Sequence, residues 1–97
     1  MRKLFFSHSL TSYNTVGEQK SLDWIKDKYP DYEIVNPTEL NLPDDFDKAM
    51  AIVLPMVKEC SVLVYYKDGS YSPGVEAEIK IATEMGIIVD KVPWGEV

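Results

Sequence analysis

The sequence predicts a small α/β domain in three layers, with a four-stranded parallel sheet and helices on both faces. Three observations point there. Short apolar runs alternate with stretches of helical periodicity in the order β-α-β-α-β-α-β. Such alternation implies a parallel sheet with right-handed crossovers. Capping residues precede the helical stretches. The 97 residues make one domain's worth of chain, 45% hydrophobic and 27% charged, ordinary for a globular protein.

Lys3 to Ser7 is a short apolar run that ends in small polar residues, which predicts a first strand buried on both faces. His8 to Asn14 is rich in Ser, Thr and Asn and reads as a loop. Thr15, with Glu18 three residues later, is a capping-box pattern. Leu22, Ile25 and Tyr29 then recur at helical spacing, and Pro30 stops the helix at Tyr29. Tyr32 to Asn36 is a second strand, closed by Pro37.

Asp44 to Glu59 predicts a second helix with Phe46, Met50, Val53 and Val57 as its buried stripe. Its acidic start suits the helix dipole, and Pro55 is expected to kink or divide it. Ser61 to Tyr66 is the clearest strand. Lys67 to Tyr71 is a loop with a turn signal. Ser72 looks like an N-cap with Pro73 at the first helical position, and Gly86 stops that third helix after Met85. Ile87 to Val89 is a fourth strand, and Pro93 to Val97 a tail. The arrangement is flavodoxin-like or Rossmann-like, in a single domain over residues 1–97.

Charge narrows the partners. The formal net charge is −6 and the pI about 4.6. An acidic surface disfavours polymeric nucleic acid and anionic lipid, but admits a small ligand in a local pocket. Cys60 is the only cysteine, so no intrachain disulfide is possible. One histidine and one cysteine are too few for an ordinary zinc site, and neither a metal nor a cofactor is expected. No run has the length of a signal-peptide core or a membrane span, so the cytoplasm is the expected location.

Open parallel sheets bind ligands beyond the carboxyl ends of their strands. Those ends carry Ser7-His8-Ser9, Asn36-Pro37-Thr38 and the loop from Asp68 to Gly74. In the third helix, Val75, Ile79, Ile81, Ala82 and Met85 form one apolar arc. Glu76 and Lys80 lie opposite, at pairing distance. Glu78 falls on the apolar side. A carboxylate there needs a partner or a use, since burying it alone is costly. Two readings stand: hydrogen bonding to loop backbone or a place at the helix margin, or a reactive or ligand-binding carboxylate.

The neighbours carry paired readings too. Ser72 and Gly74 are an ordinary helix start, or amides open to an anion. His8 is a loop residue bonded to backbone, or an acid-base group. Tyr71 can stack on a base, while Tyr65 and Tyr66 read as strand core, and Cys60 as a buried thiol. Asp44, Asp45 and Asp47 read as a solvated helix start.

Ser72-x-Gly74-Val75-x-x-Glu78-Ile79-x-x-Ala82, followed by Gly86-Ile87-Ile88-Val89, resembles the nucleoside 2-deoxyribosyltransferases and their relatives the deoxynucleoside 5-monophosphate N-hydrolases. The resemblance implies that Glu78 is a nucleophile toward an anomeric carbon. It implies that Ser72 and Ser9 hold the ligand's phosphate or 5-hydroxyl. It also implies a nucleoside or nucleotide as partner, and dimers or larger homo-oligomers. Leu4-Phe5-Phe6-Ser7-His8-Ser9, with Ser72-Pro73 ahead of Glu78, is similar to TIR domains, some of which cleave NAD and others of which bind proteins.

Both resemblances imply cleavage of an N-glycosidic bond, whose oxocarbenium-like transition state a carboxylate stabilises or traps. The helix N-terminus is expected to keep Glu78 ionised. The chain departs from the monophosphate hydrolases at Thr11, where they carry an arginine. It departs again at Ile52-Val53 and Cys60-Ser61, near family aspartates. One of those aspartates protonates the leaving base, and Asp68 or His8 would have to substitute. Without a substitute, the expectation is a non-catalytic nucleotide-binding module of the same fold.

Overall fold

The structure is a computed structural model that describes residues 1–95. Four strands form one all-parallel sheet: β1 (Arg2–His8), β2 (Tyr32–Val35), β3 (Val62–Tyr66) and β4 (Ile88–Lys91). Their spatial order is β2-β1-β3-β4. Three helices connect them: α1 (Val16–Lys28), α2 (Phe46–Lys58) and α3 (Pro73–Glu84). The chain first steps from β1 to β2 through α1. It then crosses back over β1 to reach β3 through α2. Reversal of direction between β1 and β3 makes their carboxyl ends a topological switch point.

Strand alternation sorts the core into two clusters. Leu4, Phe6, Val62 and Val64 point toward α1, where Ile25 meets them. Phe5 and Leu63 point the other way, toward Val53 and Val57 of α2 and Ala82 of α3. Both clusters are almost fully buried, so β1 and β3 are covered on both faces. The fold is therefore the three-layer α/β arrangement that the sequence predicts.

The helix starts follow their caps. The Thr15, Asp45 and Ser72 side chains accept from the N–H groups of Glu18, Lys48 and Val75. Element ends differ from expectation by one or two residues. The stretches read as connections hold 3-10 turns at Leu10–Ser12 and Pro37–Glu39.

Four expectations need correction. Pro55 does not divide α2, because it lies on the exposed side; the Ala51 carbonyl it cannot bond is on that side too. Phe46 and Met85 sit at helix ends and are about half exposed, outside the core. Glu76 pairs with Lys67 at 2.7 Å and not with Lys80, because the β3–α3 loop brings Lys67 alongside. The stretch after β4 is no loose tail. Val92 is fully buried, and Trp94 packs on the α1 cluster with its indole N–H on Ser21 Oγ at 3.2 Å. Glu96 and Val97, the end of the expected tail, lie outside the described residues.

Candidate functional site at the carboxyl edge of the sheet

A cleft of about 680 Å³ opens over the carboxyl ends of β1 and β3. That volume lies within the ordinary range for small-ligand sites. Three connections wall it: the β1–α1 turn, the segment between β2 and α2, and the start of α3.

Glu78 is in its wall and only 5% exposed. Helical phase turns it toward the sheet, and strand alternation turns Ser7 toward it. The Ser7 hydroxyl donates to Glu78 Oε1 at 2.7 Å, across 71 residues of sequence. Ser7 is the one hydrogen-bond partner of Glu78 among the described residues. Burial pushes the Glu78 carboxyl up to about 7, and the Ser7 bond only partly opposes it. The helix N-terminus therefore does not hold Glu78 in the ordinary carboxylate range, and near neutral pH the group is divided between its charged and neutral forms. Glu78 is the sixth residue of α3, and the dipole's effect fades within the first turn.

His8 follows Ser7 and so faces the α1 side. Its Nε2 lies 2.8 Å from Asn36 Oδ1 and its Nδ1 2.6 Å from Ser12 Oγ. Asn36 Nδ2 donates to Glu18 Oε2 at 2.9 Å, which leaves Asn36 Oδ1 to accept. Asn36 Oδ1 therefore places a proton on Nε2, while the single Ser12 hydroxyl proton is shared between Nδ1 and the Ser9 carbonyl oxygen at 2.8 Å. Burial lowers the His8 pKa, against the opposing bond to Asn36. The ring touches the cleft, but both nitrogens are engaged by the protein. Asn36 is buried in this network and does not line the cleft.

Glu18 anchors that network, and the capping pattern alone did not reveal it as part of a site. It is 6% exposed and also accepts from the Asn14 N–H at 2.5 Å. Burial works to raise its pKa, but the bonds from Asn36 and Asn14 outweigh it and hold the carboxyl below its ordinary value. Tyr13, hidden within a stretch read only as loop, also lines the cleft and packs its ring on His8. Burial, with the charges of Glu78 and Glu18, pushes its hydroxyl up to about 12.

Asp68 stands behind the cleft wall. It accepts from Thr11 Oγ1 at 2.5 Å, Ser9 Oγ at 3.2 Å and the Ser70 N–H at 3.0 Å. Burial acts to raise its pKa, but these donors prevail and hold it below its ordinary value. Ser9, Tyr71, Ser72 and Gly74 all line the cleft. Ser72 Oγ accepts from the Val75 N–H at 3.2 Å and keeps its own proton for a ligand. Tyr71 stands at the mouth, 81% exposed. A Cβ added to Gly74 would meet only Met50 Cε at 3.4 Å and Ser72 Oγ at 3.8 Å. Internal packing therefore does not demand glycine there.

Among the described residues no group of three His, Cys, Asp or Glu side chains is placed to hold a metal, and no helix is long and apolar enough to cross a membrane. No protein-family profile matches the chain, and no curated protein does. Among solved structures it is similar to a 2-desoxiribosyltransferase from Leishmania mexicana, with a TM-score of 0.67 and 11% sequence identity. The match covers 94% of this chain and 63% of the other, so the chain spans under two thirds of that enzyme's length. At that identity the likeness is one of fold: this chain has the α/β architecture of that 2-desoxiribosyltransferase.

Proposed function

We propose that this protein cleaves the N-glycosidic bond of a nucleoside-like compound, with Glu78 as the nucleophile at the anomeric carbon. One observation carries the reading. A carboxyl with one hydroxyl partner is buried in the wall of a ligand-sized cleft, at the switch point of a parallel sheet. The fold likeness to a 2-desoxiribosyltransferase supports it.

The chemistry suits the setting. Cleavage of the C–N bond develops positive charge on the sugar ring, and a poorly solvated carboxylate gains most from meeting it. Attack by Glu78 expels the base and forms a glycosyl ester. Water then opens the ester, or a second base takes the sugar. Ser72 and Ser9 are the proposed ligand contacts, with Tyr71 closing over the base. Ser7 orients Glu78, while His8 and Asn36 brace the wall.

The test is release of free base from a panel of nucleosides, deoxynucleotides and NAD. Glu78→Gln is expected to lower the rate at least about 10³-fold. Release that survives the substitution, or no release from any compound, defeats the reading. The engaged state of His8 and Asp68 favours one rival, a binding module with no free acid for the leaving base. In that case a nucleoside raises the melting temperature and is not consumed.

A further inference from the structure

The charge lining the cleft says more about what it takes. Among the described residues, no lysine or arginine lines it, whereas Glu78 and Asp44 do. Lys67 borders an adjoining hollow of about 280 Å³, and its ammonium is held by Glu76 at 2.7 Å. The first turn of α3 offers an anion the Gly74 N–H and the Ser72 hydroxyl, but no full positive charge. Pro73 has no N–H, the Val75 N–H is on Ser72 Oγ, and the Glu76 N–H is on the Ser72 carbonyl. An anionic 5-phosphate thus meets carboxylates and no countercharge.

Proton supply points the same way. A neutral base leaves as an anion unless something protonates it. The Nε2 proton of His8 goes to Asn36 Oδ1, and Nδ1 faces Ser12. Asp68 accepts three hydrogen bonds and is held below its ordinary pKa. Tyr13, pushed up to about 12, holds its proton tightly. Meanwhile Glu78 lacks a countercharge, and the exposed aromatic residues Tyr71 and Phe46 line the cleft, a composition that suits a cation.

We propose, building on the reading of Glu78 as nucleophile, that the substrate is an unphosphorylated nucleoside whose base bears a fixed positive charge. N7-alkylated purine nucleosides and pyridinium nucleosides share that chemistry. The charges balance without an acid. The Glu78 carboxylate and the cationic nucleoside give a neutral glycosyl ester and a neutral base. Water then opens the ester and frees the sugar, and loss of one proton to solvent restores the Glu78 carboxylate. The base's charge stands in for the missing acid and offsets the buried carboxylate on binding.

The experiment measures kcat/KM for matched pairs, corrected for spontaneous base loss without protein. 7-Methylguanosine is set against guanosine, in ribo and 2-deoxyribo forms. Nicotinamide riboside is set against its 5-phosphate and NAD. The cationic nucleosides are expected to exceed guanosine by at least about 10²-fold, the lower end of what a general acid contributes. Phosphorylation is expected to weaken turnover, and activity is to vanish in Glu78→Gln. Which cationic nucleoside turns over faster separates the two sources. Guanosine cleaved as well as its 7-methyl form, or a phosphorylated compound preferred, overturns this proposal and leaves the glycosidase reading standing. No release from any compound overturns both.

Discussion

Glu18 and Glu78 are two carboxyl groups on helices at the same sheet edge, both almost closed to solvent, yet their pKa values are displaced in opposite directions. Glu18 accepts from Asn36 and from the Asn14 backbone, in a network that runs on to His8 and Ser12. Its anionic form is favoured. Glu78 has Ser7. Its anionic form is disfavoured, and its carboxyl titrates near neutrality. Solvent exposure does not separate them, at 6% and 5%, but Glu78 lies much deeper among protein atoms and carries the dominant desolvation cost. Depth and the number of donors together do. A carboxylate whose donors are complete belongs to the architecture, whereas one left short can still do something for a ligand.

That contrast can be broken by experiment. The largest effect is expected from Glu78→Gln on stability. Its folded pKa is raised above the unfolded value, so the ionised group weighs against folding as pH climbs through the gap. Above pH 7 the substitution should stabilise the chain by about 3 kcal/mol, from the shift between 4.5 and about 7. The gain should fade toward pH 4, where the carboxyl is protonated in both states. Denaturant melts at pH 8 and pH 4 decide it, and equal stability of the two proteins at pH 8 would show Glu78 to be better solvated than it looks.

Glu18→Gln should do the reverse. Its folded pKa is depressed, so its stabilisation is present above the unfolded pKa and lost as pH falls through the folded one. Replacing a charged acceptor of two donors should cost about 2 kcal/mol at pH 7, and less in acid. Melts of the two glutamine variants should diverge in neutral solution and converge at low pH. Parallel curves would erase the distinction between the two sites.

Gly74→Ala gives the smallest change in stability, under about 1 kcal/mol, since the added Cβ meets only van der Waals neighbours. Base release should nevertheless fall by about 10-fold or more if the ligand lies against this turn. A substitution silent in both measurements moves the ligand away from α3.

The element order was legible because each strand is a short apolar run and each helix carries a cap and a periodic stripe. Glu78 stood out through helical phase, a property of one element. Glu18 did not. Its place in a capping box accounts for its position on α1, while Asn36 and, through it, His8 arrive from the end of β2 and from β1. Tyr13 was obscured by the polar composition around it. Lys67 took Glu76 from Lys80 through a loop whose path periodicity does not describe. Pro55 misled because a break in the ladder matters little where water reaches the carbonyl. Local pattern reached whatever one element decides alone, and missed what depends on elements meeting.

Along β1, parity divides labour. Phe5 and Ser7 face α2 and α3, while Leu4, Phe6 and His8 face α1. The strand works as a two-track rail, with acidity on the odd track and bracing on the even one. A lineage can therefore retune the Glu78 carboxyl through position 7 alone, exchanging serine for another small residue, while the scaffold held by position 8 stays as it is. Inserting one residue ahead of Ser7 would exchange the tracks and ruin both at once.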